Sequence, residues 1–283
     1  MDGVLVIDKP GGMTSHDVVQ RVRKLLQTHR VGHLGTLDPM ATGVLPLCVG
    51  KATRIGRFFP ASPKEYVGQI RFGFSTTTYD REGEPASPRR HFTSIQEEVA
   101  REMSGLTGTY DQTPPSFSAK KWGGVPSYKL ARKGQIVDNA PVRVEVSAFE
   151  LTGFHPPLIG FRIVCSGGTY VRSLAHDLGE RLGCGAHLES LRRLQSGDFR
   201  IDQAVGLERA TPADVKPLDS LLVEWPRIDV FEIEEDRVRH GNPIRMETAS
   251  GLVRIFNREG EFLAVATAER GWVRPQVVLT SKT

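Results

Sequence analysis

Apolar residues fall in short blocks separated by turn formers and charged clusters, and the period within the blocks changes from strand-like to helix-like along the chain. The run Val4–Ile7 followed by Lys9-Pro10-Gly11-Gly12 predicts a short strand ending in a turn. Thr14 and Asp17 then form a capping pair ahead of Val18, Val19, Val22, Leu25 and Leu26, the spacing of an amphipathic helix whose other face is basic. His33 to Gly43 is dense in turn formers, and the apolar run Val44–Val49 after it predicts a buried strand.

Further on, a strand is expected around Tyr66–Phe74, then a polar stretch near Thr76–Arg90. A helix capped by Ser94 follows, with Glu97 in its first turn and Ile95, Val99 and Met103 as apolar positions. Thr113–Pro141 combines Pro and Gly with Lys120, Lys121, Lys129, Arg132 and Lys133, the composition of a mobile basic excursion. Strands over Val142–Leu151 and Ile159–Cys165 lead through Gly167-Gly168 into a helix starting near Thr169, with Val171, Leu174, Ala175, Leu178 and Leu182 on one side. Val205–Pro226 reads as a short helical connector interrupted by Pro212 and Pro217. Leu252–Phe256, Phe262–Ala266 and Val277–Leu279 then read as strands, with Gly251, Gly260 and Gly271 at turns.

Helices and strands mix without strict alternation, so the class expected is α+β. At 283 residues the chain suits one large domain and one small one, 1–225 and 226–283, with the basic insertion at about 113–141 inside the first.

Charge changes this picture modestly. Lys plus Arg number 37 against 33 Asp plus Glu, a net charge of +4, and the basic residues cluster, as at Arg21, Arg23, Lys24, His29 and Arg30. Such clusters fit a polyanionic partner or a solvated helix face. Cys48, Cys165 and Cys184 are widely spaced with no Cys-x-x-Cys, which points away from a disulfide framework or thiolate zinc site and towards a reducing interior. With no secretory leader or membrane span expected, the reading is cytoplasmic. His-Glu-x-x-His, Gly-x-Ser-x-Gly and Gly-x-Gly-x-x-Gly are absent. Gly50-Lys51 lacks the other positions of a phosphate loop, with Leu45 and Ala52 where Gly and Ser or Thr would stand.

Asp38, in Leu37-Asp38-Pro39, reads either as a turn former or as a catalytic carboxylate. Gly35, Gly43, His33 and the basic helix upstream favour the second, because a carboxylate working beside a polyanion needs cationic surroundings. Tyr66 is a strand-core aromatic or a stacking platform for a base. Tyr170 and Arg172 stand at the mouth of a helix, where Arg172 is a surface charge or a fixed guanidinium pairing a buried carboxylate.

The ordered series Asp8-Lys9-Pro10-Gly11-Gly12-Met13-Thr14-Ser15, Gly32-His33-Leu34-Gly35-Thr36-Leu37-Asp38-Pro39-Met40-Ala41-Thr42-Gly43, Lys64-Glu65-Tyr66, Gly167-Gly168-Thr169-Tyr170-Val171-Arg172 and Leu191-Arg192-Arg193-Leu194 resembles bacterial pseudouridine synthases of the TruB type. Val238 to Pro275 is similar, more loosely, to the small PUA-type RNA-binding domain of these proteins. The resemblance implies a pseudouridine synthase fold with a central mixed sheet and cleft, followed by a mostly-β PUA-like domain. It also implies isomerisation of uridine 55 in the T-loop of tRNA, without cofactor or metal, by a stand-alone monomer with no obligate protein partner. By the same resemblance Asp38 is the essential aspartate, as nucleophile or as base. Tyr66 stacks on the target base, Arg172 pairs with the aspartate, and His33, Tyr170 and Leu191 line the substrate site. Two rivals stand beside it: a tRNA-folding helper, and a synthase for another RNA site.

Overall fold

In chain order the elements are β1 (Gly3–Lys9), α1 (Ser15–Leu25), β2 (Val31–His33), β3 (Thr42–Val49), β4 (Lys64–Phe72), α2 (Gln96–Ser104) and β5 (Gly108–Gln112). A short pair, β6 (Lys121–Trp122) and β7 (Val125–Pro126), precedes the hairpin of β8 (Val142–His155) and β9 (Leu158–Cys165). Then α3 (Val171–Arg181) leads into β10 (Ala186–Ser196), and three two-residue strands follow, β11 (Phe199–Arg200), β12 (Val205–Gly206) and β13 (Lys216–Pro217). The chain closes with β14 (Arg227–Asp229), α4 (Glu232–Arg239), β15 (Ile244–Arg245), β16 (Gly251–Phe256), β17 (Phe262–Glu269) and β18 (Trp272–Val278). This computed structural model describes residues 1–59, 63–115 and 140–279, with the backbone of 121–122 and 125–126. The basic excursion expected over Thr113–Pro141 therefore lies mostly outside the described residues.

Among the described residues, eleven strands make one mixed sheet, ordered β12-β1-β3-β10-β4-β9-β8-β5 along its main path. Five more make a second sheet, β14-β16-β17-β18-β15. The α+β expectation holds. β10 is the hinge of the large sheet, parallel to β3 on one side and antiparallel to β4 on the other.

Continuous apolar runs at β1 and β3 follow from burial on both faces. Successive side chains on a strand point opposite ways. Leu5, Ile7, Leu45, Leu47 and Val49 enter the main core beneath α1 and α3, while Val4, Val6, Val44 and Cys48 enter a second one. That second core is completed by Phe256, Phe262, Val265 and Leu279 of the C-terminal sheet. α1 forms as its sequence predicts: Thr14 Oγ1 accepts from Asp17 N–H at 3.1 Å and Asp17 Oδ2 accepts from Thr14 N–H at 2.9 Å. Val18, Val19 and Val22 are buried, whereas Leu25 is exposed, because the helix ends as it clears the sheet.

Three expectations need correction. α2 is capped by the backbone at Ile95, without a side-chain cap bond, one residue after Ser94, and Ile95 points to solvent. The connector 205–226 is not α-helical: β12 and β13 pair with β1, with a single 3-10 turn at Pro212–Asp214 between them and another at Leu218–Ser220 after β13, since Pro212 and Pro217 cannot donate within an α-helix. The central strand β10 and helix α4 were not anticipated.

Gly43 is where β3 meets β10. Its φ is +99°, and a Cβ there would collide with the backbone carbonyl and amide of Arg193. Gly43→Ala is expected to lower unfolding free energy by about 3 kcal/mol, read from urea denaturation. An unchanged transition would contradict the close β3–β10 approach.

Candidate active site

The loop between β2 and β3 carries Asp38 and is tied down almost residue by residue. Arg193, fully buried on β10, donates from Nε to Val44 O at 2.7 Å, from Nη1 to Thr36 O at 3.3 Å and from Nη2 to Gly35 O at 3.2 Å. Ser15 Oγ accepts from Leu37 N–H at 2.8 Å and donates to Leu37 O at 3.1 Å. Lys9, also fully buried, donates from Nζ to Pro10 O at 2.8 Å, Pro39 O at 3.1 Å and Ala41 O at 2.7 Å. Two interior cations thus neutralise carbonyls that the loop's irregular backbone leaves without strand partners.

The Asp38 carboxylate meets Arg172, in the first turn of α3. Arg172 Nε lies 2.9 Å from Asp38 Oδ2 and Nη2 lies 3.2 Å from Oδ1, a two-point pairing. The guanidinium is held from behind as well, with Nη1 donating to Thr78 O at 3.0 Å and standing 3.5 Å from Asp80 Oδ2. Asp80 is itself fixed, its Oδ1 accepting from Thr78 Oγ1 at 2.6 Å and Glu82 N–H at 3.0 Å. The Arg172 side chain is 7% exposed and that of Asp80 6%, but that of Asp38 is 34% exposed, so the chain of charges runs from the interior to an open end.

The open end faces a cavity of about 220 Å³ lined by Thr36, Lys64, Tyr66, Tyr170 and Leu191 with Asp38 and Arg172. The volume suits a group smaller than an ordinary drug-sized ligand. Tyr66 belongs to the core cluster and also lines the cavity, so its ring is packed on one side and presented on the other. Burial raises its phenol above the ordinary value, with Arg193 opposing. Tyr170, which caps α3, is fixed by Gln112, whose Oε1 accepts from Tyr170 N–H at 2.8 Å and whose Nε2 donates to Tyr170 O at 3.1 Å.

Five of the six residues singled out from sequence therefore converge. His33 does not: it sits exposed on β2 and is not among the lining residues. Lys64, Asp80, Lys9 and Arg193 were missed as contributors. Lys64 was findable, since it lies two residues from Tyr66 on a strand and so shares its face. Its Nζ is 3.3 Å from where a Gly35 Cβ would be, and burial, then Arg193, lower its affinity for a proton. Among the described residues no cluster of three or more His, Cys, Asp or Glu could hold a metal ion, and no helix is long and apolar enough to cross a membrane.

Lys9 carries a pH signature. Burial lowers its pKa to about 8, against the opposing pull of Asp38 and Glu82. An unfolded chain keeps this lysine protonated up to its ordinary 10.5, so between about 8 and 10.5 unfolding takes up a proton. The contribution to stability is full above that window and is lost as pH falls to about 8. The difference in unfolding free energy between the unaltered protein and Lys9→Met should rise with pH across it, by at most about 1.4 kcal/mol per pH unit. Urea titrations at several pH values measure this, and a flat difference would contradict it.

Three family models match the chain. One described as TruB family pseudouridylate synthase (N terminal domain) covers residues 23–171. One described as tRNA pseudouridylate synthase B C-terminal domain covers 172–222, and one described as Pseudouridine synthase II TruB, C-terminal, covers 226–279. The tRNA pseudouridine synthase B of Solibacter usitatus is 46% identical over 278 residues, covering 94% of this chain and 95% of that protein. The protein of the same name from Geobacter sulfurreducens is 50% identical over 258 residues, covering 90% and 81%. Among solved structures, a chain in the crystal structure of a Cbf5-Nop10-Gar1 complex superposes with a TM-score of 0.72 at 25% identity, covering 98% of this chain and 85% of that one.

Proposed function

Since the chain belongs to the TruB family of pseudouridylate synthases, we propose that it isomerises a uridine in tRNA to pseudouridine, at position 55 of the T-loop. The observation that carries the reading is the Asp38 carboxylate, half-open to a small aromatic-lined cavity and clamped by Arg172.

The reaction breaks the bond from uracil N1 to ribose C1′, turns the uracil, joins its C5 to the same carbon, releases the C5 proton to solvent and leaves N1 carrying a proton taken up in its place. It is redox-neutral and transfers no group to another molecule. Reaching C1′ requires the nucleotide to leave its stack, at a cost of a few kcal/mol offset by contacts in the pocket. Tyr66 offers a ring face for the extruded base, Tyr170 and Leu191 bound the space in which it turns, and Asp38 acts on the sugar as nucleophile or base. Arg172 fixes the direction of that carboxylate, and Lys64 supplies positive charge where electron density collects on the detached uracil.

We assign residues 1–225 to the catalytic unit and 226–283 to a PUA-like RNA-binding unit. The protein works as a monomer in the cytoplasm, where its tRNA is. The test is tritium release from uracil C5 of an unmodified tRNA transcript, beside a transcript with cytidine at the T-loop position. Release from the first alone supports reaction and target together. Release from both would move the target elsewhere, and release from neither would overturn the reading.

A further inference from the structure

A second basic feature stands apart from the Asp38 cavity. A cleft of about 740 Å³ opens between the large sheet and the C-terminal sheet, lined by Arg30, Lys51, Arg54 and Arg57 on one side and by Arg239 and His240 at the end of α4 on the other. We propose that this cleft is a phosphate-backbone site for a part of the tRNA outside the T-arm, so that the enzyme grips its substrate at two separated places. The inference rests on tRNA being the substrate.

Charge balance is the first argument. Lys51 and Arg239 share Glu261, at 3.8 Å and 2.9 Å, and Arg239 is also paired with Glu235. His240 lies near Asp236. Arg30, Arg54 and Arg57 are exposed and have no carboxylate within ion-pair distance among the described residues, and Arg57 rests over the Phe58 ring at 4.8 Å. Three guanidiniums converging on one cleft without counter-charge repel one another, and a run of phosphates removes that repulsion while releasing its own counterions.

Rigidity is the second. The two sides are joined through the shared core of Val4, Val6, Val44, Phe256, Phe262 and Val265. Buried Arg254 adds a tether, donating to the carbonyls of Asp219, Leu221 and Trp225 at 3.2 Å each. The cleft is therefore preformed and does not depend on a loose linker to assemble.

Position is the third. The Asp38 loop enters β3 at its start, and the turn carrying Lys51 and Arg54 leaves at its end. Eight residues of strand separate them, about 25 Å at the usual rise. An extruded nucleotide at Asp38 cannot also occupy the cleft, so the cleft meets a different stretch of the same RNA.

The test uses the full chain with Arg30→Gln, Arg54→Gln and Arg57→Gln combined, all at exposed positions, and checks the fold by its melting curve. Filter binding compares a complete unmodified tRNA transcript with an isolated T-arm stem-loop over a series of KCl concentrations. For the complete transcript we expect at least a tenfold loss of affinity at low salt and a slope of log K against log salt shallower by about 2 to 3. The stem-loop should bind within about twofold of its original affinity. A charge reversal, Arg54→Glu, should deepen the loss for the complete transcript alone. Equal losses on both RNAs, or an unchanged salt slope, would overturn the proposal. Failure of the isomerase reading shows separately, as no tritium release by the unaltered protein, and leaves the binding comparison intact.

Discussion

Asp38→Asn is expected to fold, to bind tRNA about as well as the unaltered protein, and to release tritium from uracil C5 at least a thousandfold more slowly. The amide keeps the shape of the side chain, so the loop anchors at Lys9, Ser15 and Arg193 are undisturbed. What disappears is the anionic oxygen able to attack the sugar or take its proton. Removing a nucleophile or base outright costs about three to six orders of magnitude in enzymes that depend on one. Single-turnover tritium release with enzyme in excess, beside filter binding of the same transcript, separates chemistry from affinity. Turnover within tenfold of the unaltered enzyme would remove Asp38 from the reaction and leave it as a turn residue.

Arg172→Met should damage both fold and rate. The guanidinium lies between two carboxylates, Asp38 and Asp80, and its side chain is 7% exposed. Taking away one partner of a buried charged set leaves the others uncompensated, at about 3–5 kcal/mol. Arg172→Lys should recover part of the stability and little of the rate, because an ammonium cannot make the two-point contact with Asp38 while also reaching Thr78 O. Adding Asp80→Asn to Arg172→Met should restore stability by relieving the interior carboxylate, yet leave turnover as low as in Arg172→Met alone. If all three variants denature at the urea concentration of the unaltered protein, the buried ion network contributes nothing to the fold.

Local signals in the sequence marked α1 through its capping pair and the paired strands β8 and β9 through their alternation, because those signals act within a few residues. β10 escaped notice for a physical reason. Leu188, Leu191 and Leu194 are spaced as on a helix, and a strand whose inward positions include a fully buried Arg193 breaks the alternation that identifies a strand. The motif series placed Asp38, Tyr66, Tyr170, Arg172 and Leu191 around one site. It also named His33, which stands on β2 outside the residues that line the cavity, where partial burial and then Arg193 lower its affinity for a proton. Asp80 lies in a polar stretch without periodicity, and its value comes from a partner on a distant helix, which no local pattern encodes. The buried cations Lys9 and Arg193 were hidden similarly, since what they bind is backbone carbonyl, to which sequence is blind.

The double-sided burial of β1 and β3 makes the C-terminal sheet part of the structural core of the larger unit. A chain ending near residue 225 would take Phe256, Phe262, Val265 and Leu279 away from Val4, Val6, Val44 and Cys48, baring part of the apolar face of two adjacent strands near one edge of the large sheet. Such a flat apolar strip is the kind of surface that self-associates. The shared core is expected to bind the two units into one cooperative folding transition, and a different C-terminal sheet could take this one's place only by supplying apolar residues where Phe256 and Phe262 now pack.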